Sequence, residues 1–418
     1  AATAIAATVA AIATAPEASP TEVSQAETPE AHTLPPTSAP SGPPSLTVVY
    51  TDGGNVALVG DSLPPTFLTG SGHVETVHIS DDGQKIAYSR RPVDGAPVEL
   101  HIINRDGSGD SIAMSPTDFD SLYPLDGALH NDLSQFGFLP GTHLLLLNTR
   151  PIFEGPGSAK RNDLIRIDAD TLARTMLLAP GSGGDFTPSP DGHYLAITRP
   201  DTIEVRLADG SPSGSGVINY APVITYSEYS YYALPVWRAD SALVGSAIPS
   251  SDPLTPPTSG SQWTLVPGGT ASLAGTIGAQ FFLFGTGFSP LISPDLTHVA
   301  YTRATTTPNV WSLYVSNLDG SGETLAATGN LVWGGWSIDG QHFVYSMGDP
   351  KNLQVSDLAG AASPLVNGTS LRWFNPTEFV FLSGDSGSWG LQRGGTGSPG
   401  VLLASPSGVS VAYDLAYE

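Results

Sequence analysis

The chain has 418 residues and a formal net charge of −23, from 39 acidic against 16 basic side chains, with no cysteine. The charge argues against a nucleic-acid backbone or an anionic membrane face as partner, because little here can neutralise phosphates. The missing cysteines exclude disulfides, thiolate catalysis and Cys-ligated metals, and suit an extracytoplasmic protein built without staples.

Residues 1–15, AATAIAATVAAIATA, are almost wholly small or apolar. They are too short to span a bilayer. Three readings stay open for them: the remnant of a signal-peptide apolar region, a short element docked on a partner, or a linker. Residues 16–44 are rich in Pro, Ser, Thr and Glu and predict an extended tether. The expected organisation is therefore an N-terminal segment over 1–45 and a folded region over 46–418. No run of about 20 apolar residues predicts a transmembrane helix.

From residue 46 the pattern turns to short apolar strands punctuated by Gly, Pro and Asp, in a chain with 47 Gly and 37 Pro. The segment HVETVHISDDGQKIAYSRRPVDGAPVELHIINRDGSGDSIAMS (73–115) reads as four strands. The first ends at Asp81-Asp82-Gly83, the second is QKIAYSR and the third VELHIINR, and Asp106-Gly107 turns into the fourth. The unit recurs near 132–178, 185–219, 231–275, 288–327, 330–367 and 369–405, with the length variation in the loops. Residues 46–69 supply strands two to four without a first, and 408–418 supply a lone first strand. Joined, they complete an eighth blade and close a ring. The predicted fold is an all-β propeller of eight four-stranded antiparallel blades, with seven as the alternative.

The recurring SPDGHYLAITRP (189–200), SPDLTHVAYTRA (293–304) and SIDGQHFVYSM (337–347), with YVSNLDGSGETL (314–325), resemble the TolB-type propeller repeat. FLPGTHLLLLNTRP (138–151) and WRADSALVGSA (237–247) keep only fragments of it. The resemblance implies a WD40-like propeller of the extracytoplasmic bacterial type. Such propellers serve as binding platforms, as accessory domains of enzymes and occasionally as enzymes, so it does not decide the activity.

Asp82, Asp191, Asp295 and Asp339 fall in the repeated turn, where Asp accepts turn amides and Gly takes the positive φ. His143, His298 and His342 share one repeat position with Lys85 and Tyr194, which suggests a solvated rim rather than a metal site. Arg90, Arg91, Arg150, Arg199 and Arg303 all follow a second strand and should gather on the face opposite the Asp-Gly turns. They read either as an anion-binding rim or as partners of carboxylates within their own blades. Two aromatic connections reach the same face: Tyr226, Tyr229, Tyr231 and Tyr232, then Phe281, Phe282, Phe284 and Phe288. They suit contacts with a partner, or serve as local core over the blades. GDSGS (384–388) sits in a hairpin loop without the other members of a triad, and NRDGSGDS (104–111) lacks a calcium-loop ligand pattern.

No catalytic constellation, metal site or cofactor loop is expected. The leading functional reading is a non-enzymatic extracytoplasmic propeller that binds another protein or its own copies through the tail or the loop face. The alternative is a propeller enzyme of the glycan lyase or hydrolase type, with its site at the mouth of the central channel.

Overall fold

The computed structural model describes residues 45–155, 159–225, 229–253, 255, 258–278, 289, 291–348, 352–365 and 368–417. Of the residues singled out above, Tyr226, Phe281, Phe282, Phe284 and Phe288 lie outside this set. So does the whole N-terminal segment up to residue 44.

Eight antiparallel sheets form the blades of one propeller. The first blade combines both ends of the folded region: Leu46–Asp52, Asn55–Gly60 and Leu63–Phe67 are its second to fourth strands, and Tyr413–Tyr417 is its first. Pairing of Leu46 with Tyr417 through Tyr50 with Tyr413 closes the ring, as the two complementary leftovers in the sequence predict. Blades two to five begin at Val74–Ile79, His130–Phe138, Asp185–Pro188 and Val236–Trp237. Blades seven and eight begin at Leu331–Trp336 and Gly368–Trp373. In the sixth blade the first strand is reduced, among the described residues, to a bridge between Ile292 and Val299. One short helix, Pro116–Leu122, is inserted before the third blade and starts with a reciprocal Ser115–Asp118 capping box.

Each repeated turn is built as its letters require. Ser189 Oγ donates to Asp191 at 2.6 Å, and the same carboxylate accepts the His193 amide at 3.0 Å. The Ser80–Asp82 and Ser337–Asp339 turns repeat the arrangement at 2.7 and 2.6 Å. Gly192 holds φ 69°, and a Cβ there would meet the Pro140 carbonyl of the third blade at 2.4 Å. The turn Asp is thus a structural acceptor that shapes the hairpin.

The apolar core lies between blades. Val49, Val56 and Leu58 of the first blade pack with Val77, Ile86 and Tyr88 of the second, and similar clusters join the later blades. Second strands are therefore buried on both faces and read as continuous apolar runs, whereas the outer fourth strands expose much of their length. An aromatic contact recurs across three blade junctions. Tyr194 faces Trp237, His298 faces Trp336 and His342 faces Trp373, at ring separations of 6.2, 6.4 and 6.1 Å. This corrects the expectation of a solvated rim: the side chain that opens each of these second strands reaches the Trp that ends the next blade's first strand. No helix of the described residues is long and apolar enough to cross a membrane.

Candidate functional site

The first strands of neighbouring blades are stitched together by side chains. Asp414 on the closing strand accepts a hydrogen bond from Arg372 of the eighth blade at 2.8 Å. On its other side it meets His78 Nδ1 at 3.1 Å and the Ile79 amide at 3.2 Å in the second blade, so one carboxylate ties three blades. The His78 ring stands edge-on to Phe136 of the third blade at 4.7 Å. Gln135 then exchanges two hydrogen bonds with the Phe186 backbone of the fourth blade, at 2.9 and 3.1 Å. Trp237 Nε1 donates to Thr187 O, and Trp336 Nε1 to Leu291 O, each at 2.9 Å. Burial pushes the Asp414 pKa up, but the His78 hydrogen bond, the His78 and Arg372 charges and the Ile79 amide outweigh it. The carboxyl is held below its usual range.

Two cavities flank this stitch, each of about 390 Å³. One is walled by Trp336, Trp373, Arg372 and Asp414. The other lies between the second and third blades and carries Glu75, His78, Arg91, Asp132, Phe136 and Arg150. Arg91 donates to Glu75 at 3.1 Å, to Ala96 O at 2.7 Å and to the buried Asp132 carboxylate at 2.8 Å. Arg150 Nη2 stands 3.8 Å from the same Asp132, and its buried Nε has no hydrogen-bond partner.

The remaining arginines are engaged inside their own blades. Arg90 reaches Glu99 at 3.4 Å and Gly72 O at 3.2 Å. Arg199 binds Glu204 at 2.8 Å. Arg303 binds Glu323 at 2.6 Å while lying 4.6 Å from the Tyr314 ring centre. In the second and sixth blades a Tyr on the second strand stacks on its cross-strand partner and donates to a carboxylate, as Tyr88 does over His101 to Asp110 and Tyr301 over Tyr314 to Glu323. Of the five arginines, Arg91 and Arg150 come together, and they do so around Asp132.

Of the described tyrosines, Tyr229 lies in the two-residue strand Tyr229–Ser230, paired with Ile224–Thr225. Tyr231 packs against the core shared by the fourth and fifth blades, and burial raises its pKa. Tyr232 crosses to the third blade, where its hydroxyl donates to Asn162 at 3.0 Å and Lys160 Nζ lies 4.1 Å from the ring centre. Asp385 and Ser388 flank the exposed tip of the GDSGS hairpin as its terminal pair. Among the described residues no group of His, Asp or Glu is arranged to hold a metal ion.

On the opposite face, His143 is held between Asp82 of the second blade at 2.8 Å and Asp170 at 2.9 Å, and Lys85 joins Asp170 at 2.8 Å. Burial lowers the His143 pKa, but these two carboxylates outweigh it and raise it above the usual value.

Sequence reasoning missed Asp414, His78, Arg372, Glu75 and Asp132. The available signal was a charged or polar residue inside a first-strand segment, as in YDLAY (413–417) and HNDLSQF (130–136).

No protein-family model matches the chain, and no curated protein matches it. Among solved structures it is similar to a eukaryotic initiation factor, with 12% identity over 89% of this chain and 98% of that one, at a TM-score of 0.48. It is similar to TolB from Acinetobacter baumannii, with 11% identity over 89% of this chain and 66% of that one, at a TM-score of 0.37. A third is the β-propeller domain of the Trilobed protease from Pyrococcus furiosus, with 12% identity over 79% and 97%, at a TM-score of 0.46. At such identities the likeness concerns the fold alone, and the propeller is read from this chain's own sheets.

Proposed function

We propose that this chain is a non-enzymatic, extracytoplasmic propeller of the TolB-like kind that binds a protein partner or assembles with its own copies. The carrying observation is that the carboxylates of the first strands are engaged with neighbouring basic groups: Asp414 with His78 and Arg372, Asp132 and Glu75 with Arg91. Charges spent in this way hold blades in place and leave recognition to the loops and the rim. The absence of cysteine is compatible with a setting outside the cytoplasm. Exposed Phe67, Val401 and Leu402, on the outer strands of the adjoining first and eighth blades, supply an apolar rim suited to protein contact. Residues 1–45 are proposed as the tether that brings the propeller to its partner, and 46–418 as the propeller domain.

The test is a photo-crosslinking map in the native host. Adducts at Tyr229 or Arg199 on the loop face, or at Phe67 and Leu402 on the rim, support the reading. Adducts nowhere on these positions overturn it.

The enzyme alternative keeps one specific observation, the meeting of His78, Asp414 and Arg372 beside the cavity walled by Trp336 and Trp373. Turnover of an acidic glycan that is lost in His78→Gln would favour it over the binding reading.

A further inference from the structure

We propose that the cavity between the second and third blades is a receptor for the carboxylate of a small molecule with an apolar body, and that Arg150 receives it. This inference does not depend on the protein-binding reading. At about 390 Å³ the cavity falls at the small end of ligand sites, which run from roughly 300 to 1,000 Å³.

Its walls divide by chemistry. Val98, Leu133 and Phe136 form an apolar side, with the Phe136 ring fixed by the edge-on contact to His78. Thr76, Ser89 and Ser134 supply hydroxyls. Most of the stronger polar groups are already committed. Gln135 uses both ends of its amide on Phe186. Arg91 donates to three acceptors, and Asp132 takes Arg91 and the Leu133 amide.

Arg150 is different. Its Nε is buried without an acceptor, and 3.8 Å to Asp132 exceeds hydrogen-bond range. The side chain as a whole is 39% exposed, so its terminal amines stay open to an acceptor that enters the cavity, while the enclosed Nε has none from the fold. A carboxylate fits best, because a planar guanidinium presents parallel donors to its two oxygens. A cation is disfavoured, since the Asp132 side chain is only 2% exposed and is screened by two guanidiniums. The negative charge of the protein does not forbid an anion here, because charges beyond about 8 Å are largely screened at physiological salt. The apolar side then selects for a ligand body and against a bare ion.

The experiment is calorimetric titration of the full chain with four probes: N-acetyl-leucine, N-acetyl-leucinamide, acetate and inorganic phosphate. N-acetyl-leucine should bind at least tenfold tighter than its amide and than acetate, and tighter than phosphate. Arg150→Gln should lose at least tenfold in affinity, while Arg238→Gln, at a surface turn paired with Asp240, should lose none. Circular dichroism establishes that each variant is folded. Arg150→Lys gives a second arm, with the charge kept and the fork removed, and should fall between wild type and Arg150→Gln. Equal binding of acid and amide, tighter binding of phosphate, or unchanged affinity in folded Arg150→Gln would overturn the proposal.

Discussion

Replacing Asp414 with Ala removes the carboxylate that joins the eighth, first and second blades across 336 positions of sequence. Three hydrogen bonds go with it, from Arg372 at 2.8 Å, His78 at 3.1 Å and the Ile79 amide at 3.2 Å. Each such bond contributes about 1 kcal/mol net, and more when a charged donor faces a buried acceptor. Arg372 is half-exposed and regains water, so its share is discounted to about 1 kcal/mol. The Ile79 amide is left without its acceptor, which adds to the loss. The sum is about 3 kcal/mol, in the range for breaking one side of a buried pair. With a urea slope at or above about 3 kcal/mol/M for a chain of this size, the midpoint should fall by roughly 0.5–1 M. Asp414→Asn keeps the shape and loses the charge, and should cost about half as much. The acid dependence carries its own sign. Asp414 has its pKa lowered by folding, so its stabilisation is present above the unfolded value near 4 and is lost as pH falls through the folded value. Wild type should therefore lose stability on acidification over that window faster than Asp414→Asn. Equal midpoints within about 0.3 M, or parallel acid limbs, would refute the account of the closing strand as a charge-stitched latch.

Other expectations are simpler to check. Gly192→Ala forces a side chain into φ 69° and against the Pro140 carbonyl, and should cost about 2 kcal/mol or more in urea melts. Asp191→Ala removes the acceptor for Ser189 and the His193 amide, and should cost about 1 kcal/mol by the same measurement. His143 is raised by its two carboxylates, so its contribution is full below its unfolded pKa and is lost as pH rises through the folded value. Stability measured between pH 6 and 9 should show a fall of at most about 1 kcal/mol that His143→Gln abolishes. Combined Phe67→Ser and Leu402→Ser should leave the melting temperature nearly unchanged while weakening any self-association seen by analytical ultracentrifugation.

The blades were legible because their signals are local. A Ser-x-Asp-Gly turn, a strand such as KIAYSR and an Asp-Gly hairpin each declare themselves within a dozen residues, and their recurrence counts blades. Ring closure was legible for a different reason: residues 46–69 and 408–418 lack complementary strands, and pairing of Leu46–Asp52 with Tyr413–Tyr417 supplies them. The stitch between the first strands was not legible. Asp414, His78, Asp132 and Arg372 come from four separate blades, and no local pattern says which face of a first strand turns inward. The arginines looked equivalent in sequence, yet Arg90, Arg199 and Arg303 pair closely with acids of their own blades while Arg150 stays 3.8 Å from Asp132 with its Nε unmet, because that outcome depends on the third strand and its loops. Trp237, Trp336 and Trp373 recur at the ends of first strands, and that period was available to read as contact between blades.

The central claim is that this propeller recognises a protein partner from its loop face and rim, with the carboxylates of the first strands given over to structure. Photo-crosslinker placed singly at Tyr229, Arg199, Phe67 and Leu402, and at Gln84 and Gln341 on the opposite face, tests it most directly in the native host. The account predicts discrete protein adducts at one or more of the first four positions and none at the last two. Adducts confined to Gln84 and Gln341, or absent from all six, would contradict it.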